Sequence, residues 1–304
     1  MLEGTRSDAT SRLPPELLER IFQSSVLVHM ELSDEITQLS AQTGHTPEST
    51  TAWNLSHVCV RWRKIAARSL RLWSKITLDF PEPRRDEVDD DKRTNAHAEE
   101  ILHLQLQRSK GTLLQVRVLN LSRRHRLFDI LLEEADRWEV ALVDICAAPA
   151  YLPTTGDIIR QLKLGVSGGL PQLQTLAATL SCFEEEAQEP RRDDLHCSLE
   201  SLPKLTRASL KGPLVDIMTL PWCQLTALEL TDYRNNGQVE SILPQCPRLE
   251  RLSLSLIEDY LDVLRLPKLE ELNAPDSSFF IFDLAPIVLS THGNLTIPWR
   301  HSSL

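Results

Sequence analysis

Apolar residues fall at the spacing of one helical face twice near the front of the chain. Leu17, Leu18, Ile21, Phe22, Ser25 and Val26 follow an i, i+1, i+4, i+5 rhythm, which predicts a helix over 13–30. Pro14 and Pro15 suit its first turn, where a missing N–H leaves no helical bond unmade. Glu16 puts a negative charge at the positive end of the helix dipole. A second stripe predicts a helix over 53–68: Leu55, Val58, Cys59, Trp62, Ile65 and Ala66 lie at i, i+3, i+4, i+7, i+10 and i+11. Its opposite side carries Arg61, Arg63, Lys64 and Arg68. Residues 31–52 are polar, with Gly44 and Pro47 as punctuation, and read as a loop around one short helix near 34–41.

The period changes after residue 74. Ile76, Leu78 and Phe80 alternate, predicting a strand at Lys75–Phe80. The charged, proline-containing run 81–93 reads as a surface loop. Residues 95–111 read as a helix that Gly111 stops. Leu114–Leu121 and Glu139–Ile145 read as further strands. The second half then repeats itself. Leu225-x-x-Leu228-x-Leu230 and Leu249-x-x-Leu252-x-Leu254 are the clearest copies. The anchors Leu205, Leu225, Leu249 and Leu269 stand 20, 24 and 20 residues apart, with Leu173 a further 32 residues upstream.

A period of 20–29 with L-x-x-L-x-L marks leucine-rich repeats. Each copy supplies one short strand and a return segment, and cannot bury its leucines without a stacked neighbour. The three earlier strands are expected to join the same stack as degenerate members. The copies lack the asparagine or cysteine expected after the third leucine, which predicts an uneven solenoid. Residues 279–304 carry no clear polar cap, which predicts an array that is truncated or unusually short.

The two N-terminal stripes together resemble the F-box family. The residues that carry the resemblance are "LPPELLERIF" at 13–22 and "LSHVCVRWRKIAARSLRLW" at 55–73. They match the L-P-x-E-[IL]-[IL]-x-x-[IF]-[FL] opening and the V-C-x-x-W-[RK]-x-[IL]-[AS] closing of that motif, in order. With repeats behind them, they look most like the fungal F-box/leucine-rich-repeat group. The 35 residues between Phe22 and Val58 exceed the family's usual connection. A long surface insertion adds little closure entropy.

The resemblance implies an α+β chain: a small all-α F-box, then an irregular α/β leucine-rich-repeat solenoid with a parallel sheet. The expected layout is a disordered 1–11, an F-box at 12–74 with an insertion at about 31–52, and repeats at 75–304. It implies a non-catalytic substrate-recognition subunit of an SCF-type cullin–RING ubiquitin ligase. Leu13, Pro14, Leu17, Leu18, Ile21, Phe22, Val58, Cys59, Trp62 and Ile65 would bind a Skp-type adaptor, and through it the cullin and RING subunits. The repeats would capture a target protein. The same architecture also suits a scaffold that works outside any ligase.

Bulk chemistry narrows the alternatives. A formal charge of -10 and a pI near 5.4 oppose general nucleic-acid binding, which needs a basic footprint. No apolar run is long enough to span a membrane, and residues 1–12 show no leader pattern. An intracellular location, cytoplasmic or nuclear, is expected. The six cysteines are scattered, with no C-x-x-C pair, and read as reduced buried thiols rather than a disulfide framework or zinc site. Asn54, Asn120 and Asn294 open N-x-[ST] triplets, read as chance matches in a chain without a leader. No catalytic motif is present. "GVSGG" at 165–169 lacks fingerprint spacing, "EEE" at 184–186 sits beside a charged loop, and no third group orients His196–Cys197. No cofactor and no metal are expected.

Overall fold

The computed structural model describes residues 13–26, 51–80, 91–122, 125–147, 170–182, 197–212, 214–231, 239, 241–255, 266 and 268–273. They hold helices α1 (Pro15–Val26), α2 (Thr51–Val58), α3 (Val60–Arg68) and α4 (Leu70–Trp73), then strand β1 (Lys75–Asp79) and helix α5 (Asp91–Arg108). Strand β2 (Leu114–Leu121), helix α6 (Arg126–Leu132) and strands β3 (Trp138–Ala147) and β4 (Thr175–Cys182) follow. Next come β5 (Cys197–Ser198), β6 (Arg207–Lys211), helix α7 (Leu214–Ile217) and β7 (Met218–Thr219). Strands β8 (Ala227–Thr231), β9 (Arg251–Leu254) and β10 (Glu271–Asn273) end the described part. The expectations for 1–11, the helix at 34–41, "GVSGG", "EEE", His196 and 279–304 lie outside the described residues, as does most of the 31–52 insertion.

The chain is mixed helix and strand, and it divides into two compact units: 1–78 with 83–115, and 79–82 with 116–304. In the first, Pro14 supplies the carbonyl that starts α1, accepting from the N–H groups of Leu17 and Leu18 at 3.1 and 3.2 Å. Leu18, Phe22, Ala52, Ala66, Leu72 and Trp73 form the core, with Leu13, Trp53, Leu55, Trp62 and Ile65 packed partly against it. The Trp73 indole N–H donates to the Ala66 carbonyl at 2.7 Å. Two side chains of α5 tie that helix to the same unit. Gln105 donates to the Lys75 carbonyl at 2.6 Å, and the Arg108 guanidinium lies 4.3 Å from the Trp73 ring centre and 5.4 Å from that of Trp53. These anchors explain why contacts carry the unit past the motif-based boundary at 74/75. The charged run expected as a loop over 81–93 already enters α5 at Asp91. Gly111, at φ 87, takes the left-handed conformation that follows the end of α5.

The sheet shows why the leucines repeat. One eight-stranded sheet runs in the order β1-β2-β3-β4-β6-β8-β9-β10, so the three early strands join the later ones as expected. Every pair from β3 onward is parallel. Strands β5 and β7 form a separate parallel pair. The register aligns the repeat phase: Ala208 faces Leu228, Leu228 faces Leu252, and Leu252 faces Leu272. Each anchor leucine closes the same turn. The N–H groups of Leu173, Leu205, Leu225, Leu249 and Leu269 donate to the carbonyls of Leu170, Leu202, Trp222, Cys246 and Leu266 at 3.1 to 3.2 Å. The residue after each anchor then bonds to its counterpart in the strand before, as in Thr226 to Thr206 at 2.8 Å and Glu270 to Glu250 at 2.7 Å. All five anchors are buried. The turn bonds are local, while the second set comes from the neighbouring repeat, so the backbone ladder is a property of the stack.

Candidate protein-docking surface

Among the described residues, six large hydrophobic side chains are exposed: Leu17 (44%), Ile21 (52%), Val58 (60%), Val60 (63%), Leu70 (43%) and Leu113 (36%). All six belong to the first unit, which has already built its own core. Apolar groups left out beside a completed core are the ones a partner protein would cover.

Helix α1 divides its apolar residues in two. Leu18 and Phe22 turn inward and are 1% exposed, while Leu17 and Ile21, one turn apart, face solvent. Phe22 packs on Trp62 with ring centres 4.8 Å apart. Leu18 and Phe22, both expected at the adaptor interface, are therefore already used by the internal core. Leu13 is partly buried against that core, and Pro14 is exposed.

The expected continuous helix over 53–68 is two helices. Cys59 stands between them in extended conformation (φ -157, ψ 169), and its Sγ accepts from the Trp62 N–H at 3.4 Å, capping α3. The break disrupts the apolar stripe that the spacing suggested. Trp62 and Ile65 lean on the core, Val58 points out, and Val60, off the predicted stripe, is the most exposed of the group. The i, i+3, i+4 template hid Val60 because it presumes an unbroken helix. Leu70 was missed because α4 begins after its own break at Ser69.

The basic face is partly structural. Arg61 donates from Nη2 to the Leu13 carbonyl, and Arg63 donates from Nε to the Ser56 carbonyl at 2.9 Å. Arg61 thus ties α3 to the start of α1 across 48 residues. Lys64 and Arg68 are exposed and complete a cationic edge. Burial lowers the pKa of Arg108, whose guanidinium lies against the edge-packed Trp73 and Trp53 rings rather than on this surface.

The described residues contain no group of three or more His, Cys, Asp or Glu able to hold a metal, and no described helix is long and apolar enough to cross a membrane. No protein-family model matches the chain, and no curated protein is significantly similar to it.

Proposed function

We propose that the chain is the substrate-recognition subunit of an SCF-type cullin–RING ubiquitin ligase. The helical unit is then an F-box that docks on a Skp-type adaptor, and the parallel-sheet unit is a leucine-rich-repeat solenoid that captures a target protein. The observation that carries this reading is the exposed set Leu17, Ile21, Val58, Val60 and Leu70 beside a complete internal core. It supports the motif resemblance because these side chains have no folding role that their burial would explain. Fully burying a Leu, Ile or Val contributes about 1.5–3 kcal/mol, so roughly half-exposed groups each retain about 1 kcal/mol for a partner. Exposed Lys64 and Arg68 suit an acidic partner, whose approach they would speed.

The test is affinity purification of the full chain followed by mass spectrometry, with and without proteasome inhibition. An adaptor and a cullin in the eluate, with a further protein that accumulates on inhibition, support the reading. A stable partner with neither adaptor nor cullin favours the scaffold instead.

A further inference from the structure

Two cysteines in consecutive repeats occupy one corner of the second unit. The turn that closes on Leu225 starts at Trp222, and the turn that closes on Leu249 starts at Cys246, each through a 3.2 Å bond to the anchor N–H. The strands that follow pair in register, Ala227 with Arg251. The two turns therefore stack, and neighbouring strands lie about 4.8 Å apart. Cys223 is one residue along from the counterpart of Cys246. That offset places the two Cα atoms roughly 6 Å apart, inside the span a disulfide bridges.

Their surroundings differ. Cys223 is exposed and Cys246 is buried, at 1% exposure, and both thiols are free. The Cys246 thiol donates to the Ile242 carbonyl at 3.4 Å. Burial first, and the charge of Cys223 second, push the Cys246 thiol up to about 12.

We propose that Cys223 and Cys246 form a peroxide-responsive pair whose oxidation links consecutive repeats through an intrachain disulfide. Hydrogen peroxide oxidises the accessible Cys223 thiol to sulfenic acid and is itself reduced, releasing one water. The Cys246 sulfur then leaves the Ile242 carbonyl and attacks the Cys223 sulfur. The S–O bond breaks, the Cys246 proton joins the departing hydroxide, and a second water forms. Two thiols give up two electrons, and one peroxide becomes two waters. Peroxide reaches the exposed Cys223 and not the buried Cys246, so Cys223 is oxidised first, and Cys246 resolves the sulfenic acid as its proton is lost to the departing hydroxide.

The experiment treats the full chain with hydrogen peroxide, blocks remaining thiols, digests with trypsin and reads peptides without reduction. The expected product joins peptide 212–234 to peptide 235–248, and dithiothreitol removes it. Cys223→Ser abolishes the product. Cys246→Ser, with Cys246→Ala as a second variant, leaves a Cys223 sulfenic acid that dimedone labels several-fold more than in the wild type. Two unmodified thiols after treatment, overoxidised Cys223 without a cross-link, or equal dimedone labelling in wild type and both Cys246 variants would each overturn the proposal.

Discussion

Replacing two neighbouring leucines on α1 should give opposite outcomes. Leu18 is 1% exposed and belongs to the core with Phe22, Ala66 and Trp73. Truncating it to alanine removes buried methyl groups and leaves a cavity, which costs about 2–5 kcal/mol. Leu17, at 44% exposed, has solvent around its outer half, and Leu17→Ala should cost about 0.5 kcal/mol or less. The difference of at least about 1.5 kcal/mol is a factor of more than ten in the folded-to-unfolded ratio. Urea unfolding followed by tryptophan fluorescence reads it, because Trp53, Trp62 and Trp73 all belong to this unit. With a urea slope of about 1–3 kcal/mol/M, Leu18→Ala should lower the midpoint by about 0.7 M or more, while Leu17→Ala should hardly move it. Equal shifts for the two variants would refute the assigned facing of α1 and, with it, the identity of the docking residues.

Three further outcomes follow from other parts of the molecule. Gly212 sits at φ 75, and a Cβ there would lie 2.5 Å from the Leu180 carbonyl oxygen. Gly212→Ala should therefore destabilise the repeats by more than the roughly 1–2 kcal/mol of the left-handed conformation alone, seen as a lower melting temperature. Arg108→Ala removes the cation that lies against Trp73 and Trp53 and should lower the stability of the helical unit by about 0.5–2 kcal/mol, with altered fluorescence of both indoles. The raised pKa of Cys246, about 12, means that the folded chain keeps a proton the unfolded chain releases. Its contribution is present below the ordinary thiol range and is lost as pH rises towards that value. Cys246→Ala should flatten this part of the alkaline stability profile, as measured by denaturation at stepped pH.

The repeat region was the more legible part of the sequence because one physical cause, a leucine that must be buried by a stacked neighbour, recurs at Leu173, Leu205, Leu225, Leu249 and Leu269. Its period placed β4, β6, β8, β9 and β10, and Leu114–Leu121 was delimited as the structure has it. The helical unit was harder. Leu17, Leu18, Ile21 and Phe22 share one apolar arc, and only the position of the neighbouring core separates the outward pair from the inward one. Cys59 was opaque for a different reason. A cysteine fits a helical stripe by hydrophobicity, yet here its sulfur accepts a cap bond and ends the stripe. The structural role of Arg61 was not legible either, because its partner, the Leu13 carbonyl, is a backbone group 48 residues away.

The central claim is that the outward apolar set of the helical unit binds a Skp-type adaptor. The direct measurement is calorimetric titration of purified adaptor into the full chain, wild type and the double variant Leu17→Lys with Ile21→Lys. These two residues are roughly half exposed, so their loss should remove about 2 kcal/mol of docking energy, a weakening of roughly 30-fold, with the unfolding midpoint unchanged. No binding by the wild type, or equal affinity in a folded double variant, would contradict the account.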